Sequence, residues 1–257
     1  RAYESYGRKE QQGLNSPVSE YATFAYTTVL NHLLADTSHK TYLGDATIVF
    51  WAESPKAVYQ DFMALYMNGE TTAQDETIVR DEAAVREGKA VFEKISDGKS
   101  IDGLSGIFDE KTTFHILAIS PNAARLAIRF FISNSFGEMV KKIAGHYQDL
   151  KIQKQYGTEP NVISVWRLLN ETVSPKSKDK AASPLMAGAV LKSILTGMPY
   201  PASLYQAIII RIKAEKEINY YKAAIIKAYL LRKYKNDNQF KEVFTMALNV
   251  QSDNIAY

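Results

Sequence analysis

The stretch from Leu117 to Leu150, LAISPNAARLAIRFFISNSFGEMVKKIAGHYQDL, constrains the fold more than any other part of the chain. Thr112–Ile119 and Ala124–Ser133 read as strands, with Ser120-Pro121-Asn122 as the turn between them, because apolar runs flanking Pro and Asn mark a hairpin. Alternation puts Leu126, Ile128, Phe130 and Ile132 on one face of the second strand, the face that meets a core. Arg125 and Arg129, at even spacing, take the opposite face. A helix over Phe136–Leu150 follows, carrying Lys141 and Lys142, with Lys151 and Lys154 just beyond it. Two guanidinium groups in register beside a basic helix suit a polyphosphate backbone better than a small substrate. A second reading stands beside that one, in which these arginines pair with acidic residues of the same chain.

The rest of the chain sorts into a first half with strands and an all-helical second half, an α+β class with a mixed or antiparallel sheet. Ser16 can cap a helix that starts at Pro17 and runs to about Leu34. Val18, Tyr21, Phe24, Ala25, Val29 and Leu33 make it apolar on several sides, so it is expected to be buried. Gly44-Asp45 turns into a strand at 45–51, whose near-continuous apolar run predicts cover on both faces. Helices are expected from Pro55 to Met67 and from Glu76 to Ile95, then at Asn161–Thr172, Pro184–Leu195, Ala202–Glu217 and Asn219–Tyr234. Gly197 followed by Pro199 is a firm helix stop. The Lys- and Ser-rich run at 174–183 reads as a linker, dividing a 1–173 α+β domain from a 184–257 helical domain.

Charge is unevenly spread. Residues 45–111 hold 14 acidic against 7 basic side chains, whereas 205–235 hold 8 basic against 2 acidic. The basic end supplies a second candidate set: Arg211, Lys213, Lys222, Lys227, Arg232 and Lys233. Leu204, Ile208 and Ile212 form an apolar stripe that leaves Lys213 and Lys216 to solvent. Lys222 and Lys233 are close to three turns apart and so are expected on one face. Tyr220, Tyr221, Tyr229 and Tyr234 interleave with these charges, either to stack on unpaired bases or to pack as amphipathic side chains.

Several chemistries find no support. There is no Cys, which excludes disulfides, thiolate zinc sites and cysteine nucleophiles and fits a cytoplasmic chain. No apolar run reaches the length of a membrane span, and no signal peptide is visible. His32, His39, His115 and His146 lack zinc-ligand spacing, and no phosphate loop, dinucleotide fingerprint or nucleophile elbow is present. Asp75-Glu76 and Asp81-Glu82 cluster but read as a solvated helix face rather than a metal site. No cofactor is expected, and the chain reads as non-enzymatic.

With Asn15–Leu34 and Gly44–Ser54, the opening stretch resembles the large subunit of the type I-C CRISPR surveillance complex, Cascade. The run LTGMPYPASLYQAIIIRIKAEKEINYYKAAIIKAYLLR (Leu195–Arg232) resembles the same family. The resemblance implies a non-catalytic subunit that works with CRISPR RNA-containing backbone subunits. It implies help in recognising a motif that flanks a double-stranded DNA target and in holding the displaced single strand, while a recruited helicase-nuclease cuts. Base pairing then reads the sequence and protein reads duplex shape and flanking motif. The chain starts at Arg1 and is read as a central piece of the family's length. No family motif assigns a residue, so the sites named above rest on charge and geometry. A protein-docking scaffold without nucleic-acid contact is the alternative.

Overall fold

β3 (Thr113–Asn122) and β4 (Arg125–Ser135) pair along almost their whole length, and the other elements are assembled around that hairpin. The computed structural model describes residues 18–68, 82–96, 108–122, 125–154, 157–160, 162–177 and 182–235. β1 (Lys40–Leu43) and β2 (Ala46–Ala52) complete one four-stranded antiparallel sheet in the order β1-β2-β3-β4. Helices α1 (Glu20–Ala35), α2 (Val58–Asn68) and α3 (Glu82–Ser96) come before β3. After β4 the described elements are helices: α4 (Phe136–Leu150), α5 (Val165–Asn170), α6 (Pro184–Thr196), α7 (Ala202–Glu215) and α8 (Tyr220–Lys233). The α+β class and its helical second half are as the sequence predicts.

Phe136, the first residue of α4, is the hub of the core. It is fully buried, and its ring meets Tyr59 at 4.8 Å, Phe108 at 4.9 Å, Phe114 at 5.4 Å and Phe62 at 5.5 Å. Ser135 caps the helix, its hydroxyl accepting from the Glu138 N–H at 3.4 Å. One face of α4 is buried from Phe136 through Met139, Val140, Ile143 and Tyr147 to Leu150. It packs on the sheet at one end and on α6 and α8 along its length, so a single apolar core joins sheet and helices.

The structure corrects several sequence expectations. Pairing continues through Ser120, Pro121 and Asn122, so the expected turn lies inside β3. Ser19, rather than Ser16, caps α1, and only Leu33 of that helix is buried; Tyr21, Phe24, Tyr26 and Val29 are exposed. The Asn161–Thr172 helix shortens to α5, started by Ser164, whose hydroxyl accepts from the Arg167 N–H. The largest difference is in β4. Ala118 pairs with Phe130 but Ile119 pairs with Ile128, leaving Arg129 unmatched as a β-bulge. A bulge resets the alternation, so Phe130 is buried while Leu126 (60%) and Ile128 (69%) are exposed instead of joining the core.

Candidate nucleic-acid interface

The bulge decides where Arg129 goes. Its Nε donates to the buried Ser120 Oγ at 2.7 Å and its Nη2 to Asp45 Oδ2 at 3.2 Å. The side chain is 38% exposed and lines a small cleft against α6, near Pro184 and Lys192. The acidic partner that the competing reading requires is therefore present for Arg129. Arg125 opens β4 opposite Asn122, and its side chain lies outside the described part.

Most of the basic C-terminal set is committed inside the fold. Glu215 accepts from Arg211 Nε at 3.0 Å and from Lys222 Nζ, and these bonds, Lys222 first, hold its carboxyl below the ordinary value. Lys222 is 3% exposed, so it does not share an open face with Lys233 as the spacing predicts. Asn219 caps α8, its side chain accepting from the Lys222 N–H, and this start turns Lys222 toward Glu215 of α7. Lys227 Nζ donates to the carbonyls of Gln148 and Lys151, satisfying the C-terminal end of α4. Burial lowers its ammonium pKa.

Arg232 is the most committed of all. Its Nε donates to Asp149 Oδ2 at 2.7 Å and its Nη1 to the carbonyls of Ser193 at 2.8 Å and Met198 at 3.1 Å. The guanidinium also lies 4.3 Å from the Tyr200 ring centroid. One side chain thus ties α8 to α4, to α6 and to the turn after α6.

That knot forms the floor of a cleft of about 390 Å³ between α4 and the end of α8, lined by Lys141, Lys142, Asp149, Gly197, Arg232 and Lys235 among others. Gly197 ends α6 at φ +73°, the left-handed region, and a Cβ there would lie 2.9 Å from Lys142 Cδ. The glycine therefore both stops the helix and lets the Lys142 stem cross it. Lys141 is shared with Glu138 at 3.4 Å and Glu110 at 3.6 Å, and the Glu138 bond raises its pKa. Lys142 and Lys235 have no ion-pair partner among the described residues, and the one carboxylate in the cleft, Asp149, is already held by Arg232.

The remaining candidates scatter. Lys233 is exposed beside the cleft, its Nζ 5.6 Å and 5.3 Å from the Tyr229 and Tyr234 rings. Lys151 and Lys213 are exposed and Lys154 is half-buried. The tyrosines pack within the fold: Tyr229 is buried and stacks on Tyr205 at 4.7 Å, while Tyr220 and Tyr221 are half-buried, with Arg167 4.1 Å from the Tyr221 ring. The structure thus brings Lys141 and Lys142 together with the end of α8 and separates them from Arg129. Lys235 is the member that the sequence reading left out; its signal was the basic run Arg232–Lys235.

Among the described residues no three His, Asp or Glu side chains are grouped to hold a metal ion, and no helix is long and apolar enough to cross a membrane. Asp75, Glu76 and Asp81 lie outside the described residues, as does the Glu82 side chain. A search of the curated proteins gave no match. A family model for CRISPR-associated protein (Cas_Csd1) matches residues 1–257.

Proposed function

We propose that this chain, which belongs to the Cas_Csd1 family of CRISPR-associated Cascade components, is a non-catalytic subunit that binds target DNA. In this role it helps recognise the flanking motif and holds the displaced strand, alongside CRISPR RNA-bearing backbone subunits and a recruited helicase-nuclease. The observation that carries the proposal is the cleft where Lys142 and Lys235 stand beside Lys141 with no free carboxylate among the described residues to neutralise them. Uncompensated lysines on a concave surface take phosphates of a passing backbone, at a gain set by counterion release. The commitment of Arg211, Lys222, Lys227 and Arg232 to internal bonds favours a second reading, a scaffold that docks proteins only.

Co-expression with the neighbouring gene products separates the two. The DNA-binding role predicts that Lys142→Glu assembles with its partners and their RNA but loses affinity for target duplex. Loss of assembly with unchanged DNA affinity would instead support the scaffold.

A further inference from the structure

The sheet has an outer face built from different residues than its core face. Alternation sends Phe50, Phe114, Ile116 and Phe130 inward, where all are buried, and sends Trp51, His115 and Phe131 outward. Trp51 lies directly opposite His115 in the pairing of β2 with β3. Phe131, on the edge strand β4, is opposite Leu117 and so diagonal to His115.

The three rings are close to parallel. Trp51 and His115 are 5.0 Å apart with planes at 26°, His115 and Phe131 are 5.8 Å apart at 9°, and Trp51 and Phe131 are 6.2 Å apart at 28°. A hydrogen bond of 3.0 Å between His115 Nε2 and Glu53 Oε1 fixes the imidazole ring. Phe131 is the open member of the three, 54% exposed. Tyr42, 60% exposed, stands on the other edge strand, with Lys40 Nζ 5.9 Å from its ring.

A partner that only buried apolar area would be indifferent to ring orientation. A cluster of near-parallel rings with one exposed member matches a planar, stackable occupant, and every nucleobase offers one. Aromatic side chains on one face of a four-stranded antiparallel sheet are a known arrangement for holding unstacked bases; here that face is open on its β4 side, at Leu126, Ile128 and Phe131, while Val49 and Ile119 on the same face are buried. The lysine cleft is on the helical side of the sheet, since α4 packs through Phe136 on Phe114 of the core face.

We propose that the β4 side of the outer sheet face is a stacking platform for an unpaired nucleobase, with Phe131 as the contact ring and His115 and Trp51 packed beside it. This rests on the DNA-binding role proposed above and adds a second, chemically distinct contact. The cleft takes phosphates, and the sheet takes a base.

The test uses the 257-residue chain with Trp166→Phe, so that Trp51, one of two tryptophans, is the sole indole reporter. A short oligothymidylate and an abasic strand of equal length are titrated separately. The platform predicts that the intact strand quenches Trp51 emission and binds more tightly than the abasic strand. It predicts that Phe131→Leu, an exposed change that spares the core, weakens the intact strand by about tenfold, within the range for one base–aromatic contact. Phe131→Trp retains that affinity, and Phe131→Leu leaves the abasic strand unaffected. If intact and abasic strands bind alike and Phe131→Leu changes neither, the platform is overturned while the DNA-binding role stands. If neither strand binds, the DNA-binding role itself fails. If Phe131→Leu releases a protein partner from the complex with DNA affinity unchanged, the face is a protein interface and the platform is overturned.

Discussion

Arg129 reaches Asp45 across the sheet, Nη2 to Oδ2 at 3.2 Å, while its Nε holds Ser120 Oγ at 2.7 Å. The pair ties the bulge in β4 to the β1–β2 turn and to the end of β3. Both charged side chains are more than a third exposed, which limits what the ion pair contributes. Arg129→Ala is predicted to cost about 1 kcal/mol in urea-induced unfolding, most of it from the lost bonds to Ser120 and Asp45. DNA affinity is predicted to fall less in Arg129→Ala than in Lys142→Ala. A larger fall in Arg129→Ala would make Arg129 a principal phosphate contact and the Asp45 pair secondary.

Arg232 and Asp149 present the opposite case. The arginine side chain is 6% exposed, and its bonds to Asp149, Ser193 and Met198 leave little of it to water. Removing one partner of such a pair strands the other charge and several carbonyls. Arg232→Ala is predicted to destabilise the fold by about 3–5 kcal/mol, read as a lower denaturant midpoint. A change under about 1 kcal/mol would show that water replaces the guanidinium freely.

Phe136 tests the core. Four aromatic rings meet it within 5.5 Å, and replacing it with Ala opens a cavity that β3, α2 and α4 cannot all close. The predicted loss is about 3–5 kcal/mol for Phe136→Ala and less for Phe136→Leu. Equal losses for the two variants would argue that ring shape, and not volume, sets the packing there.

His146 makes stability fall with acid. It is fully buried in α4 with Nδ1 2.6 Å from the Tyr200 hydroxyl, and burial drops its pKa from 6.5 to about 3. The unfolded chain takes up a proton on this imidazole at about pH 6.5, whereas the folded chain stays neutral until much lower pH. The unfolded state thus binds more protons across that window. Stability is full above about pH 6.5 and declines as pH falls, by up to about 1.4 kcal/mol per unit from this one group. Unfolding midpoints measured between about pH 7 and 5 are predicted to drop more steeply for the native chain than for His146→Phe. Parallel slopes would contradict the burial.

Much of this fold was legible from residue patterns. The bounds of α4, the stop at Gly197, and the outward Lys213 and Lys216 all follow from period and capping, which are local. The resemblance to the type I-C large subunit is borne out by the family match over the whole chain. The misses are non-local. Nothing in the sequence marks Arg129 as the unmatched residue, because a bulge is fixed by the partner strand as much as by its own. The exposure of α1 escaped for a related reason, since apolar residues on several sides describe an interface as well as a core. Lys222 and Lys233 share a helical period, yet Glu215 on α7 captures the first and leaves the second in water. The lysine cleft was half visible: Lys141 and Lys142 stood out as a basic helix, but only packing of α8 on α4 brings Lys235 to them.

The proposed DNA-binding role requires the cleft to carry phosphate contacts, and the salt dependence of DNA binding measures that directly. Log affinity for single-stranded DNA is to be followed against log salt for the native chain and for Lys142→Ala/Lys235→Ala. Two lost phosphate contacts predict a slope shallower by about 1.4 and weaker binding at low salt. An unchanged slope, with the fold intact by circular dichroism, would contradict the account.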